Sequence, residues 1–351
     1  MDIINNIAVL LKLHEPHRVT SVIAKSRELA DNKVLVNWGL EEALSLKKLN
    51  IKVPSPIEGR YEWTGRHKPF EHQKATAAFF TMNKRSFCFN EQGTGKTASA
   101  IWASDFLMKQ GKIRRVLVIC PLSIMDSAWR DDLFTFATHR TVSVAYGPAE
   151  KRKKIIQEGS DYVIINYDGV AIVADEIKKG GFDLVIVDEA THYKNAQTTR
   201  WKTLNRLLTD DTWLWMMTGT PAAQSPVDAY GLAKMVNKNL VPRFFTSFKE
   251  QVMVRVSQFK WSIKPKATDI VFKALQPAIR FTKEECLDLP PMVYVKREVE
   301  LTKQQKKYYK QIKDKMVMEV TDAEVTAVNA AVSLSKLLQI SSGAVYTDAG
   351  D

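Results

Sequence analysis

The stretch Asn90-Glu91-Gln92-Gly93-Thr94-Gly95-Lys96-Thr97 decides the fold of this chain. The apolar residues 86–89 in front of it predict a short strand, and residues 98–108 behind it predict a helix. A strand, a glycine-rich loop and a helix in this order form a cradle for phosphate. The glycines let backbone N–H groups turn towards an anion, and the helix N-terminus adds the positive end of its dipole.

The last two residues of this loop suit a nucleoside triphosphate bound with Mg²⁺. Lys96 is expected to reach the β- and γ-phosphates, and the Thr97 hydroxyl is expected to ligate Mg²⁺. The loop departs from the general pattern at its first position, where Asn90 stands in place of glycine. Because a Gly-Lys-Thr sequence also occurs by chance, the interpretation needs a second element.

That second element is the run Leu184-Val185-Ile186-Val187-Asp188-Glu189. Its uninterrupted apolar part predicts a strand buried on both faces, as in a parallel sheet, and ligands bind at the carboxyl ends of such strands. Asp188 is expected to hold Mg²⁺, directly or through water, and Glu189 to orient and deprotonate the attacking water. An isolated Asp-Glu pair is usually two solvated acids, but the loop upstream favours the catalytic interpretation.

Composition and charge narrow the classes of protein and partner. The chain has 351 residues with 45% hydrophobic content, enough for one large domain or two smaller ones. It has 51 Lys and Arg against 39 Asp and Glu, a net charge of +12 that favours nucleic acid as partner, although many basic proteins bind none. Three widely spaced cysteines indicate buried thiols in a reducing compartment, the cytoplasm, and no segment is long enough to span a membrane.

The pattern along the chain predicts three parts. Residues 1–60 form a small accessory unit with a strand at 34–36 and a helix at 40–49. Residues 66–243 alternate between strands and helices, which predicts a parallel sheet covered by helices on both faces. The strand candidates there are residues 87–89, 116–120, 162–165, 184–187 and 213–217.

Residues 244–351 change to helical segments with basic character. Thr302 and Gln305 form a capping box that opens a helix running to about residue 320. Residues 334–340 are a second apolar helical run.

Five further patches complete a recognisable order. They are Phe70-Glu71-His72-Gln73, Val118-Ile119-Cys120-Pro121-Leu122-Ser123, Ile165-Asn166-Tyr167-Asp168, Ala190-Thr191-His192-Tyr193-Lys194-Asn195 and Thr218-Gly219-Thr220-Pro221. The set resembles the superfamily 2 helicase-like ATPases, in particular DNA translocases of the Swi/Snf kind. Several patches, above all the amino-acid sequence of residues 120–129, are most similar to helicase-like proteins of tailed bacteriophages.

The resemblance covers about residues 66–343 and implies an α/β fold. The expected architecture is a RecA-like P-loop lobe, with a parallel sheet flanked by helices, after a small N-terminal unit. Residues 275–291, 299–302 and 305–309 resemble the connector between the two lobes of such motors, and residues 337–340 resemble the start of the second lobe. A second RecA-like lobe, in cis or in trans, is therefore an expected partner.

The resemblance also implies roles for particular residues. Gln73 would read the adenine edge, because its amide both donates and accepts hydrogen bonds. The residues that would hold the triphosphate of ATP are Gly93, Thr94, Gly95, Lys96 and Thr97. Those that would couple the nucleotide state to DNA are Thr218, Gly219 and Thr220. Those that would lie along the DNA, mostly touching phosphates, are Pro121, Leu122, Ser123, Tyr167, Lys194 and Asn195.

Two departures from the family pattern affect the expected activity. Thr191 stands where the family usually has histidine, and His192 comes one place later. The chain also lacks the Gln-x-x-x-Arg-x-x-Arg pattern that supplies an arginine finger, a group worth about 10³–10⁵ in rate in related systems. We therefore expect this chain to be the first lobe and connector of a longer motor. By itself the chain is expected to bind ATP but to hydrolyse it very slowly.

The function that these features predict is the ATP- and Mg²⁺-binding lobe of a DNA-dependent ATPase, a helicase-like translocase. Its expected substrate is double-stranded DNA, bound with little regard to sequence. The alternative is a nucleic-acid-binding or regulatory module that keeps the ATPase fold without turnover. RNA is a less favoured alternative substrate. Contacts to phosphates carry little sequence information, and RNA has the same phosphates as DNA.

Overall fold

The computed structural model describes residues 1–222, 224–257, 260–286, 295–321 and 327–343. The chain divides into two compact units, Met1–Leu289 and Pro290–Asp351. The first contains both the small N-terminal sheet and the large central sheet, and the second contains two long helices.

A four-stranded antiparallel sheet lies at the N-terminus. Its strands are β1 (Asp2–Ile4), β2 (Ala8–Lys12), β3 (Ser26–Leu29) and β4 (Lys33–Asn37), in the order β1-β2-β4-β3. The helices of this region are α1 (His17–Thr20), α2 (Leu40–Lys48) and α3 (Ile57–Arg60). The predicted strand at 34–36 and helix at 40–49 are confirmed as β4 and α2. The sequence did not predict the other three strands, and β1 has no buried residue.

The N-terminal sheet has a small core of its own, yet it shares a helix with the rest of the unit. Val9, Val36 and Trp38 are buried in this core. Leu46 of α2 belongs to the same cluster, whereas Leu40, at the start of α2, packs into the core of the central sheet. The proposed domain boundary near residue 60 stays a prediction.

The central sheet has seven strands, all parallel. Six of them are β5 (Arg85–Cys88), β6 (Val116–Cys120), β7 (Val142–Val144), β8 (Tyr162–Asn166), β9 (Leu184–Val187) and β10 (Trp213–Met217). Later in the chain come β11 (Met253–Arg255), β12 (Trp261–Ile263) and β13 (Ala278–Ile279), of which β13 joins this sheet. The strand order is β13-β5-β10-β9-β6-β8-β7. The predicted parallel sheet and its five predicted strands are confirmed.

Helices cover both faces of the sheet. The helices between residues 71 and 286 are α4 (Glu71–Thr81), α5 (Lys96–Lys109), α6 (Asp131–Phe136), α7 (Ala149–Gln157), α8 (Tyr167–Ile172), α9 (Ala174–Lys179), α10 (Thr199–Leu207), α11 (Ala229–Val236), α12 (Phe245–Val252), α13 (Ala267–Ala274) and α14 (Lys283–Cys286). Short 3₁₀ turns occur at Leu122–Ile124, Ala190–Tyr193, Pro226–Asp228 and Lys238–Leu240, and one π-helical turn at Met125–Arg130.

Two hydrophobic clusters, one on each face, hold the sheet between its helices. Leu117 and Ile119 of β6 enter one cluster, and Val116 and Val118 enter the other. Because neither face of β6 meets water, every position favours an apolar residue, which explains the uninterrupted run in the sequence. Burying one such side chain contributes roughly 1.5–3 kcal/mol.

The region after residue 243 is not purely helical, which corrects the prediction. β11 and β12 form an antiparallel hairpin between α12 and α13. Strand β13 escaped prediction because its two residues are too few to show a period. The hairpin strands have only three residues each and are mostly exposed, so they show no period either.

In the second unit the two long helices are α15 (Lys303–Thr321) and α16 (Ala327–Ser342). The predicted capping box is confirmed: the Thr302 N–H donates to Gln305 Oε1 at 2.9 Å, and the Gln305 N–H donates to Thr302 Oγ1 at 3.2 Å. The Gln305 amide also donates to the Ile340 carbonyl at 3.0 Å, so the same residue ties α15 to α16. Within the described part of the chain, no helix combines the length and the apolar character needed to cross a bilayer.

Candidate nucleotide site

The glycine-rich loop leads from β5 into α5, and two of its glycines have left-handed backbone conformations. The φ of Gly93 is 82° and that of Gly95 is 79°. Such angles favour glycine, which has no Cβ to clash. A Cβ on Gly95 would also meet Gln73 Nε2, so a larger residue here would have to displace the Gln73 amide.

Helix α4 supports the loop from one side through two neighbouring residues. The Gln73 amide accepts a hydrogen bond from the Phe70 N–H at 3.0 Å and donates one to the Thr94 carbonyl at 3.3 Å. His72 Nε2 lies 2.8 Å from the same carbonyl. Gln73 therefore lies against the glycine-rich loop, residues 90–97, which we call the phosphate loop. The sequence interpretation missed the support that His72 gives to it.

The loop lysine and the strand-end aspartate are both buried. Lys96 Nζ donates to the carbonyl of Glu91, within its own loop, at 3.2 Å. Asp188 Oδ2 accepts from the Trp129 indole N–H at 3.0 Å, and its Oδ1 accepts from the Glu189 N–H at 3.0 Å. Burial raises the pKa of Asp188, against the lowering effects of the Trp129 hydrogen bond and the Lys96 charge. Such a carboxylate favours a nearby cation, because burial without a counter-charge is costly.

Glu189 and Thr218 meet beside the loop. Thr218 Oγ1 donates to Glu189 Oε2 at 3.2 Å, and Gln92 Nε2 lies 3.5 Å from Glu189 Oε1. Glu189 has a φ of 46°, a left-handed conformation that costs a non-glycine residue about 1 kcal/mol or more. The adjacent carboxyl ends of β5, β10 and β9 bring these residues together.

The other residues expected to couple nucleotide and DNA lie at the same place. The Thr220 N–H lies 3.3 Å from Thr218 Oγ1. A Cβ on Gly219 would lie 3.8 Å from the Asn90 carbonyl and the Gln92 nitrogen. Thr97, the second residue of α5, is half-buried.

The residues expected along DNA have mixed environments. Leu122 and Ser123 are exposed just after β6, and Pro121, which precedes them, is half-buried. Lys194 Nζ is paired with Asp228 at 3.1 Å, and Asn195 Oδ1 accepts from the Gln197 N–H at 2.9 Å.

Tyr167 differs from these residues because it is buried. Its hydroxyl donates to the Asp188 carbonyl at 2.6 Å. The ring of His192 lies 4.4 Å from the Tyr167 ring, centroid to centroid. The phenol therefore supports the backbone of the acidic pair and does not face solvent.

Trp129 is the main site residue that the sequence interpretation missed. It lies in the π-helical turn Met125–Arg130 and is fully buried, with its indole directed at Asp188. An indole only donates, so a buried tryptophan needs an acceptor. That rule raises the question of a partner, but only the fold shows that the partner is Asp188.

Asn90, the departure from the glycine pattern, also has a structural role. It is buried, its amide nitrogen donates to Thr76 Oγ1 at 2.9 Å, and its oxygen accepts from the Phe281 N–H at 3.0 Å. The residue in the glycine position thus joins the loop to α4 and to the segment after β13.

Comparisons with known proteins agree with this geometry. In sequence, the chain is 25% identical over 285 residues to protein p41 of Acyrthosiphon pisum secondary endosymbiont phage 1, covering 76% of this chain and 61% of that protein. It is 26% identical over 259 residues to the chromatin-remodeling ATPase INO80 of Lodderomyces elongisporus, covering 67% of this chain and 16% of that protein. The chain thus spans less than two thirds of each relative.

Among solved structures, the Sulfolobus solfataricus SWI2/SNF2 ATPase core in complex with dsDNA has the same fold. Its TM-score is 0.56 at 23% identity, with 79% of this chain and 59% of that one covered. The expected RecA-like α/β fold is therefore confirmed. The resemblance to Swi/Snf ATPases, including a phage protein, is confirmed by these relatives and by a family model matching residues 72–342. The glycine-rich loop, the pair Asp188 and Glu189, and Thr218 lie together at one edge of the sheet. The chain belongs to the SNF2-related domain family.

Proposed function

We propose that this chain is the ATP- and Mg²⁺-binding lobe of a DNA-dependent ATPase, which moves on DNA when a second RecA-like lobe joins it. One observation carries the proposal. Glu189 is held between Thr218, at 3.2 Å, and Gln92 of the phosphate loop, at 3.5 Å. A carboxylate in contact with both the phosphate loop and the next strand end can couple the state of the phosphates to the rest of the lobe.

The described residues fit a triphosphate with Mg²⁺. Lys96 would exchange its hydrogen bond to the Glu91 carbonyl for the phosphates, beside the backbone N–H groups of Gly93, Thr94 and Gly95. Thr97 and the buried Asp188 would hold Mg²⁺, which supplies charge neutralisation to the phosphates when bound. The described residues contain no cluster of three or more His, Cys, Asp or Glu suited to a metal. Mg²⁺ needs none, because phosphates and water complete its shell.

Glu189 would orient the attacking water and accept its proton. The hydrogen bond from Thr218 fixes the carboxylate, and the Trp129 indole fixes the neighbouring Asp188. Gln73 would read the adenine edge with the amide hydrogen that Thr94 does not occupy. Thr218, Gly219 and Thr220 would pass the state of the nucleotide to the DNA-binding side.

DNA would bind along the sheet edge that carries the nucleotide site. Pro121, Leu122 and Ser123 would contact one stretch of backbone. Lys194 and Asn195 would contact another, with Lys194 exchanging Asp228 for a phosphate. The net charge of +12 and the double-stranded DNA named with the Sulfolobus structure support this partner.

The proposal is tested by ATPase assays with and without duplex DNA, on this chain and on the chain joined to a second lobe from a family member. We expect DNA-stimulated turnover in the joined protein and its loss in the variant Glu189→Gln. Thr203→Ala, on the outer helix α10, serves as a control that should retain activity. ATP binding with no turnover in the joined protein would instead support the non-catalytic alternative.

A further inference from the structure

The edge strand β13 leads the chain directly to the phosphate loop. β13 pairs in parallel with β5, the strand that precedes the loop. The Phe87 N–H donates to the Pro277 carbonyl at 3.0 Å, and the Phe89 N–H donates to the Ile279 carbonyl at 2.8 Å. The Glu91 N–H then donates to the Phe281 carbonyl at 3.0 Å, so the pairing continues past the end of β5 into the loop itself.

Two side chains of the loop form hydrogen bonds with the backbone of the residues that follow β13. Asn90 Oδ1 accepts from the Phe281 N–H at 3.0 Å, and Glu91 Oε2 accepts from the Lys283 N–H at 3.1 Å. The backbone of residues 281–283 is thus held by the first two residues of the phosphate loop. Because these bonds hold backbone N–H groups of the segment that continues from β13, they fix the position of the Lys283 backbone beside the loop.

The Lys283 side chain extends over the loop. A Cβ on Gly93 would lie 3.6 Å from Lys283 Cε and 4.0 Å from its Nζ. Lys283 is exposed, and no carboxylate of the described residues forms an ion pair with its ammonium. Among the described residues, an ammonium without an ion-pair partner therefore lies beside a glycine whose backbone is expected to face phosphate.

A cleft next to this lysine has the character of a site for a nucleoside. It has a volume of about 660 Å³, and its lining includes the rings of Phe70, His72 and Phe281 with the charged groups of Arg280, Glu71 and Glu285. The rings of Phe70 and His72 are stacked with centroids 5.8 Å apart, and that of Phe281 lies 6.0 Å from His72. Aromatic walls with a few charged groups at the rim are typical of small-molecule sites.

We propose that Lys283 is a second cation for the phosphates of the bound nucleotide, delivered to the loop by β13. The inference rests on the proposed function, since it assigns a further residue to the same nucleotide. Lys96 would bind the phosphates from within the loop, and Lys283 from the segment after β13. Because the nucleotide would then contact both segments, its binding and the docking of β13 stabilise each other.

The test uses Lys283→Ala and Lys283→Arg in the full 351-residue chain, with Lys273→Ala on α13 as a control of equal charge change. The measurement is calorimetric titration with ADP, a non-hydrolysable ATP analogue and adenosine, in the presence of Mg²⁺. We expect Lys283→Ala to weaken both phosphorylated ligands about five- to twentyfold, as for one exposed charge-assisted contact. Adenosine affinity should not change, Lys283→Arg should retain most of the affinity, and Lys273→Ala should match the unmodified chain.

Two results would overturn the inference. One is unchanged ADP and ATP-analogue affinity in Lys283→Ala, and the other is an equal loss of adenosine affinity, which would indicate a distorted loop. If Lys283→Ala does not fold, Lys283→Met keeps the length of the side chain and permits the same comparison. Lys96→Ala separates this inference from the proposed function. If the unmodified chain binds nucleotide and Lys96→Ala does not, the proposed nucleotide site is supported independently of the result for Lys283.

Discussion

At the scale of single residues, the candidate site is organised by buried polar groups that hold one another. Asp188 accepts from the Trp129 indole, while Tyr167 supports the Asp188 carbonyl. Each partner lies in a different segment, so the protein itself orients the carboxylate. Such preorganisation would favour the proposed metal binding, because the protein would need little rearrangement to hold an ion.

Lys96→Ala should abolish detectable ATP binding and leave the fold intact. The ammonium offsets the charge of the triphosphate, and its hydrogen bond in this structure reaches only a carbonyl of its own loop. Calorimetric titration measures the affinity, and circular dichroism verifies the fold. Unchanged affinity would remove Lys96 from the site.

Trp129→Phe should weaken Mg²⁺-dependent nucleotide binding about tenfold, as for other residues that orient a metal ligand. The phenyl ring keeps most of the packing but removes the donor that lowers the pKa of Asp188. The measurement is ADP affinity as a function of Mg²⁺ concentration. Trp102→Phe is the matched control, since it loses an indole bond to the Thr64 carbonyl at 2.8 Å, remote from the acidic pair. Equal effects of the two variants would contradict the assigned role.

At the scale of elements, helix α5 is anchored by one buried carboxylate. Asp105 accepts from the Tyr61 hydroxyl at 2.8 Å and from Arg140 Nε at 2.7 Å, and His139 Nε2 lies 2.8 Å away. Lys109 Nζ, on the same helix, is 3.2 Å away. Burial by itself would raise the pKa of Asp105, but the hydrogen bonds outweigh it and the pKa is lowered. Helix α5 is thus fixed both to Tyr61 and to the segment that follows α6.

Asp105→Asn should lower the free energy of unfolding by about 3 kcal/mol at pH 7, because it removes a buried carboxylate that pairs with the half-buried Arg140 and accepts from the Tyr61 hydroxyl. Since the pKa of Asp105 is lower in the folded protein, its stabilisation is complete above about pH 4 and is lost as the pH falls through the folded value. Urea unfolding between pH 3 and 7, roughly the range in which carboxyls titrate, measures both effects. A loss below 1 kcal/mol, typical of a surface ion pair, would contradict the anchoring role.

Asp132→Asn is the control with the opposite sign. Burial, with the charge of Asp131, raises the pKa of Asp132 to about 6. The folded protein therefore binds this proton more tightly than the unfolded chain, and stability falls as the pH rises from about 4 to 6. Above pH 6 the amide should be neutral or slightly stabilising.

Asn90→Gly would restore the general loop pattern, yet it should loosen β13. The variant loses the acceptor for the Phe281 N–H and the donor to Thr76, a cost of about 1–3 kcal/mol. Hydrogen exchange should become faster at residues 278–281 and stay unchanged in β6, four strands away in the sheet order. If residues 278–281 exchange at the same rate in the variant and in the unmodified chain, Asn90 does not hold this edge of the sheet.

At the scale of the whole molecule, the basic surplus is concentrated late in the first unit. Residues 243–283 contain nine Lys and Arg against two acids. This segment includes the β11–β12 hairpin, where Lys249 lies over the Trp261 ring at 3.8 Å. An excess of this size raises the local concentration of a polyanion.

Duplex DNA should bind weakly, with little sequence preference and a strong dependence on salt. Each neutralised phosphate adds about −0.9 to the slope of log affinity against log salt. Fluorescence anisotropy with two unrelated sequences between about 50 and 200 mM salt measures the slope. Affinity that does not change over this range would contradict binding through phosphates.

The sequence by itself determined the local features of this protein. The uninterrupted apolar runs of β6, β9 and β10 predicted buried parallel strands, because both faces of such strands exclude water. The glycines before Lys96 predicted the turn between β5 and α5, and the position of the acids at the end of β9 was likewise predicted, since each feature lies within a few consecutive residues. The capping box at Thr302 was predicted for the same reason.

Only the tertiary structure decided the contacts between distant segments. The Trp129–Asp188 bond joins residues 59 positions apart, and the Asn90–Phe281 bond joins residues 191 apart. The short edge strands β7 and β13 have too few residues to show a period, and pairing with a neighbouring strand defines them. Hydrogen bonds between distant segments depend on where the sheet brings the chain together, and neither periodicity nor local spacing contains that information.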